Sequence, residues 1–313
     1  GVSGKNTKVV MFRGMNDPVD QNKQLTWFCI SDAIRKFTDY VKYMREHGEL
    51  HQACVPINFS IGSTTPNPLA VEVINYALAN GVLPVVAMGN DGFRVPIYPA
   101  AYKGVIAVGS SNGSDRVSSY SDSGSWISIV APGECIVSLK HNDPHGYVTF
   151  NGTSMAAPFV SGAVAYLAGL NPEITPQQMK SILEKTADKI EGSEEFNIKR
   201  GYGRINVYKA AKLIKESGVD GIQTKYSSCA LKAIVEPKVK DENGERDFEF
   251  TDYVPYIFLY DDRGVCIAGG YVVHKDLEVK TKENMNVVEF RGLEKGRYTL
   301  KVASYVYTDW PKV

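Results

Sequence analysis

Cysteine is scarce in this chain: five in 313 residues, at Cys29, Cys54, Cys135, Cys229 and Cys266. They form no C-x-x-C, and an odd number leaves at least one thiol unpaired. A disulfide-stapled scaffold is excluded at this length, and most of the five are expected to be small buried hydrophobes. Cys229 and Cys266 fall in one C-terminal segment and are the pair to test for a bond. An excess of charge is also lacking. Lys+Arg and Asp+Glu both number 35, split 21 to 20 before residue 222 and 14 to 15 from there on. That excludes an electrostatic footprint for nucleic acid or an anionic membrane. No apolar run is expected to approach the roughly 18–20 residues of a membrane-spanning helix. Gly1-Val2-Ser3-Gly4-Lys5 has neither an initiator Met nor the apolar core of a signal peptide, and residues 1–7 fail the spacing of a P-loop. What the chain does have is apolar material, 43% against 22% charged. This suffices for a sizeable core in one large domain or two ordinary ones.

Up to about residue 215 the pattern alternates strand and helix. Residues 7–13 (TKVVMFR), 55–60, 83–88 and 105–108 read as strands. The last two are continuous apolar runs, as expected where both faces of a sheet are covered. Residues 27–44 place Phe28, Ile34, Phe37, Val41 and Met44 near helical spacing, with His47-Gly48 as the stop. Residues 69–79 read as a helix ended by Asn80-Gly81, and 155–170 as a long stretch of apolar and small residues. Thr175-Pro176-Gln177-Gln178 resembles a capping box with Pro at the first helical position. This alternation predicts an α/β fold, a mostly parallel sheet between helix layers, over residues 1–217. Beyond Ser217-Gly218 the texture changes. Residues 256–260, 265–273 and 297–307 are rich in β-branched and aromatic residues, and Asp261-Asp262-Arg263-Gly264 reads as a hairpin turn. A smaller all-β sandwich domain, immunoglobulin-like or jelly-roll, is expected over residues 222–313.

Asn151-Gly152-Thr153-Ser154-Met155-Ala156-Ala157-Pro158 is the most informative string. A Ser at a helix start has two readings on physical grounds alone. It is an N-cap, or it is a nucleophile held where the helix dipole and free N–H groups favour developing negative charge.

The string G-T-S-M-A-A-P resembles the serine signature of the subtilisin-like serine proteases (subtilases). Further blocks similar to that family follow in its order: residues 57–62, 86–92, 98–100 with 105–109, 130–133 and 201–206. The resemblance covers about residues 1–215 and implies a subtilisin-like fold. It also implies a serine endopeptidase acting on a peptide or protein substrate. Carried over by position, Ser154 would attack the scissile carbonyl. The Asn90 side-chain amide and the Ser154 backbone N–H would hold the oxyanion. Ser60, Ile61 and Gly62 would pair with the substrate backbone as an added strand. Ala87, Met88 and Gly89 would wall the pocket for the side chain before the scissile bond. Ile97, at the base of that pocket where the family often has a small residue, points to a shallow apolar pocket. A secreted or cell-surface location follows by analogy, intracellular members being known.

The family's general base and its orienting acid come from an H-G-T-H-x-A-G helix and from an Asp after the first core strand. Both motifs lie before the block with which this chain begins, and Gly1-Val2-Ser3-Gly4 resembles the G-V-x-G that follows the His helix. The sequence thus departs from the family by truncation, with the first core strands missing. The chain alone is expected to be inactive, because a serine hydroxyl is a weak nucleophile without its base. Its own N-terminal fragment or another protomer is expected to fill the gap. Substitutes within the chain are poor. His47-Gly48-Glu49-Leu50-His51 ends the wrong helix, His141 and His145 stand in loop-like sequence, and Asp261 with His274, the signature of a permuted chain, fits a turn better. The family's tight calcium site draws largely on the loop before Gly1, so no metal and no cofactor is expected. The alternative reading is a non-catalytic binding or regulatory protein on the same scaffold. An α/β-hydrolase is disfavoured, since Gly152-Thr153-Ser154-Met155-Ala156 lacks the second Gly of G-x-S-x-G.

Overall fold

The computed structural model describes residues 7–11, 26–143, 145–217, 229–234, 238–241, 244–247, 254–271, 287–293 and 296–305. The chain divides into two compact units, Gly1–Lys225 and Tyr226–Val313.

In the first unit α1 (Trp27–Glu46) is capped by the Thr26 hydroxyl, which accepts from Cys29 N. It buries a stripe of Ile30, Ile34, Phe37 and Val41 at i, i+4, i+7 and i+11, the seam that 3.6 residues per turn demands. Four strands follow, β1 (Val55–Phe59), β2 (Val82–Ala87), β3 (Ile106–Ser111) and β4 (Ile129–Pro132). They form one parallel sheet in that order. Helix α2 (Pro68–Ala79), capped by Asn67 and opened by Pro68, connects β1 to β2 and packs on β2 and α1.

A hairpin of β5 (Ile136–Leu139) and β6 (Tyr147–Phe150) then leads into α3 (Thr153–Leu170). That helix crosses beneath all four strands. Leu83, Val85, Ala87, Ile106, Val108, Ile129 and Ala131 share one core with Ala156, Ala157, Val160, Val164 and Leu167. The alternate strand residues Val82, Val86, Ala107 and Val130 are equally buried, so both sheet faces are covered. With 18 residues and a mean hydropathy of 1.3, α3 meets the length and composition of a membrane span. This corrects the expectation that no run comes close. Burial in the core accounts for its apolar character. Helices α4 (Pro176–Thr186), with its Thr175–Gln178 capping box, and α5 (Val207–Ser217) complete the unit.

The strand expected over residues 7–13 is not formed where it can be seen. Residues 7–11 are irregular, and Val9 and Met11 are 81% and 87% exposed. An extended apolar sequence becomes a strand only when a ladder partner satisfies its backbone; among the described residues none is there. The outer edge of β1 is likewise unpaired among the described residues, whereas β4 is continued by a bridge between Val130 and Arg204.

The second unit holds small antiparallel sheets. Strand β10 (Val254–Tyr260) lies between β11 (Cys266–Tyr271) and β13 (Thr299–Tyr305), and β12 (Val287–Leu293) pairs with β7 (Cys229–Ile234). A third sheet pairs β8 (Lys238–Asp241) with β9 (Gly244–Asp247). Ile257 and Leu259 of β10 share a core with Phe290 and Leu293 of β12. The turn read at 261–264 is present: the Asp261 carboxylate accepts from the N–H groups of Arg263 and Val265, with Gly264 at φ +75°. That use of Asp261 removes it as an orienting acid for a permuted chain. His274 and the Cys229 side chain lie outside the described residues.

Candidate active site

Ser154 is the second residue of α3 and is half-buried. The residue before the helix, Gly152, has φ +154°, offers no side-chain cap, and is tied to Gly133 by its N–H donating to Gly133 O at 2.8 Å. A Cβ added at Gly133 would lie 2.7 Å from Gly152 O, so the Val130–Gly133 block braces the turn only as glycine. Asn151 Oδ1 accepts from Cys135 N at 2.6 Å and fastens the hairpin to the same turn. Among the described residues the Ser154 hydroxyl has no hydrogen-bond partner. Its backbone N–H, in the first turn of a helix, has none either.

Asn90 approaches from the end of β2. Its Oδ1 accepts from Thr153 N at 2.8 Å and from the Thr153 hydroxyl at 3.0 Å. A backbone N–H can only donate, so the amide oxygen must face Thr153 and the NH2 must face away. That NH2, which lies beside Gly152, has no partner among the described residues. Two donors, Asn90 Nδ2 and Ser154 N, are thus left open among the described residues on either side of Gly152 and Thr153. Thr153 is fully buried and holds Asn90 and Gly89 together, its Oγ1 also accepting from Gly89 N at 3.2 Å. Sequence reasoning passed over Thr153; its position inside the G-T-S string is the one signal it carries.

The segment after β1 reaches the same place. Ser60 Oγ donates to Ser154 O at 3.0 Å. Ser63 and Tyr98 exchange backbone hydrogen bonds at 2.9 and 2.7 Å, which binds the 60–63 segment to 97–98. Gly62 is exposed and Ser60 and Ile61 are half-buried, leaving backbone available along this edge. Of the three residues expected to wall a pocket, Ala87 is 6% exposed and Met88 fully buried, so at most their backbone faces a ligand. Gly89 is half-buried, with φ +110°. Ile97 lies against both glycines: its Cγ2 is 2.4 Å from a Cβ built on Gly62, and its Cγ1 is 3.3 Å from one built on Gly89.

Other features lie elsewhere. His47 stacks on Tyr43 at 4.0 Å and is hydrogen-bonded to Tyr43 O at the exposed end of α1, while His51, His141 and His145 are exposed. Among the described residues no three His, Cys, Asp or Glu are grouped to hold a metal. A cavity of about 370 Å³ is lined by Pro132, Phe159, Asp188, Arg204 and Ile205–Val207, and none of the sequence-predicted site residues borders it.

Comparison with known proteins agrees with this arrangement. The family described as the Subtilase family matches residues 7–204. The chain is 34% identical over 212 residues to the thermophilic serine proteinase of Bacillus sp. strain AK1, covering 67% of this chain and 47% of that protein. It is 34% identical over 194 residues to thermitase of Thermoactinomyces vulgaris, covering 62% and 63%. It therefore spans less than two thirds of either relative. Among solved structures it is similar to the self-cleaved protease domain of PatA, with a TM-score of 0.51 at 27% identity, covering 63% and 71%. A lanthipeptide protease matches at a TM-score of 0.51 and 26% identity, covering 62% and 68%. With its Ser154 turn, its Asn90 donor and the matched residues 7–204, the chain belongs to the subtilase family of serine peptidases.

Proposed function

We propose that this chain carries the nucleophile half of a serine endopeptidase, Ser154 attacking a peptide carbonyl whose developing oxyanion is held by Asn90 Nδ2 and Ser154 N. The observation that carries the reading is the pair of open donors, one of them oriented by Thr153 so that it can only donate. The serine needs a base. The reading assigns the His and Asp to a segment outside the chain, either its own N-terminal fragment or another protomer. Two features support an inserted strand: the outer edge of β1, unpaired among the described residues, and the exposed apolar run of Val9, Val10 and Met11. Ser60, Ile61 and Gly62 take the substrate backbone. Ala87, Met88 and Gly89 contribute backbone to the pocket, and Ile97 between Gly62 and Gly89 restricts it to small apolar side chains. The domain read over residues 222–313, whose Tyr226–Val313 part is the second compact unit, is an accessory sandwich, a reading supported by the core its two main sheets share. Secretion follows the bacterial relatives.

The test is labelling of Ser154 by a fluorophosphonate, with the chain alone and after addition of a segment bearing the family's Asp and His motifs. No labelling alone and labelling after addition is the expected result. No labelling in either case points to the second reading, a non-catalytic binding protein on this scaffold.

A further inference from the structure

We propose that Asp122 is a positioning residue for the donor loop: its buried carboxylate grips the 89–93 turn from behind and so fixes where the Asn90 amide points. The inference rests on the anion-binding reading of Asn90 given above. Nothing in the sequence around Tyr120-Ser121-Asp122-Ser123-Gly124 marks this carboxylate; its role comes from its place.

Asp122 is 2% exposed. Its Oδ1 accepts from Phe93 N at 2.8 Å and from Asp91 N at 3.1 Å, the two amides that bracket Gly92. Its own N–H donates to Gly89 O at 3.1 Å. Two further rungs, Gly92 N to Tyr120 O at 2.8 Å and Ser123 N to Phe93 O at 2.9 Å, lace the two segments together. Residues 89, 91, 92 and 93 are therefore all anchored to the 120–123 segment. Asn90 is the one member of the turn for which no bond to that segment is seen among the described residues; its side chain is anchored instead on Thr153, which also accepts from Gly89 N. One clamp sets the backbone of Asn90 and the other sets its amide. The fit at Gly89 is close: a Cβ there would lie 2.0 Å from Asp122 Oδ2, so the carboxylate rests on bare backbone.

An ionised oxygen suits this task because charge-assisted hydrogen bonds are about twice as strong as neutral ones, and one oxygen here serves two converging amides. Burial pushes the carboxyl above its ordinary value, opposed by the bonds from the Phe93, Asp91 and Gly92 amides, while the Asp91 charge pushes it further up. On the facing loop Asp91 is the charged neighbour that acts on it, with Arg94 exposed beyond Phe93. On its own segment Tyr120, Ser121 and Ser123 flank it.

The test is a pH titration of the 15N-labelled full chain by NMR in wild type, D122N and D122A, with D91N to remove the neighbouring carboxylate. In wild type and D91N the backbone amides of Asp91 and Phe93 and the side-chain NH2 of Asn90 shift with one shared midpoint. In D122N all three lose that titration. D122N, which keeps an acceptor oxygen, leaves the Asn90 NH2 signals nearer to wild type than D122A does. An Asn90 NH2 that ignores the titration, while Asp91 and Phe93 respond, marks a structural carboxylate and overturns the proposal; so does an Asn90 NH2 unchanged in D122A. If D122A does not fold, the D122N titration decides alone. The readout needs no hydrolysis, so failure of Ser154 labelling overturns the catalytic reading without moving this result.

Discussion

The Ser60 hydroxyl donates to the main-chain carbonyl of Ser154 at 3.0 Å, and the cause lies four residues further along α3. Pro158 stands inside that helix and has no N–H, so the Ser154 carbonyl loses the donor that an i→i+4 bond would supply. The hydroxyl at the end of β1 takes its place. Ser154, the proposed nucleophile, is thereby tied to the segment proposed to receive the substrate backbone.

S60A should therefore cost about 1–3 kcal/mol, the penalty for an unsatisfied carbonyl, read as a lower urea midpoint by helix circular dichroism. In a P158A background the backbone N–H restored at position 158 can serve the same carbonyl, and the cost of S60A should shrink. Equal costs in both backgrounds would show that the proline is not what makes Ser60 necessary.

T153V keeps the shape of the side chain and removes its hydroxyl. Gly89 N then has no acceptor and Asn90 Oδ1 keeps only the backbone bond from position 153. A loss of about 1–3 kcal/mol in stability is expected. Slower fluorophosphonate labelling of the reconstituted protein is expected beside it. Unchanged labelling in a destabilised T153V would confine Thr153 to a structural role.

Lys180 and Glu184 form a buried ion pair at 2.8 Å, their side chains 9% and 5% exposed, with Lys180 Nζ also donating to Ser128 Oγ. Breaking it one-sidedly, as in E184L, leaves a buried charge and should cost about 3–5 kcal/mol. The double variant K180M/E184L should recover most of that, measured by thermal melting. A double variant as unstable as the single one would mean that the charges themselves are needed.

Asp188 supplies the acid response. It accepts from Lys209 Nζ at 2.7 Å, Arg204 Nη2 at 3.0 Å and Asn206 Nδ2 at 2.9 Å. Burial alone would push its carboxyl up, but the bonds from Lys209, Arg204 and Asn206 outweigh it and hold it below the ordinary value. A depressed folded pKa gives stability that is present above the unfolded value, about 3.9, and is lost as pH falls through the folded one. D188N should therefore be less stable than wild type at neutral pH, and the two unfolding curves should converge in acid below pH ~4. A gap that persists into strong acid would assign the loss to packing.

How much of this was legible follows from where each signal resides. The turn at Gly152–Pro158 was legible because a serine at a glycine-led helix start writes its demands into neighbouring residues, and Asn90 and Ser60, which the structure brings to that turn, came with their own short strings. Asp261-Asp262-Arg263-Gly264 was readable for the same reason: all the turn's bonds close within five residues. Thr153 and Asp122 were not legible as clamps. Their partners lie 63 and 31 residues away, and a hydroxyl or carboxylate that serves distant backbone amides leaves no local pattern. Residues 7–13 misled because a short apolar, β-branched run states a capacity for pairing and says nothing about whether a neighbour exists. The stretch 155–170 was legible as long, apolar and rich in small residues, but the full 18 residues of α3 reach a membrane-like hydropathy, and its contact with all four strands is invisible in the local pattern.

The orientation of Asn90 has a consequence for direction. With its oxygen spent on Thr153, the Asn90 amide turns hydrogens outward beside Gly152, next to the Ser154 backbone N–H. An acceptor oxygen brought to this floor would meet two donors, whereas a group that can only donate would find neither of them able to receive it. The turn therefore selects by hydrogen-bonding sense: it favours the oxygen end of an arriving polar group.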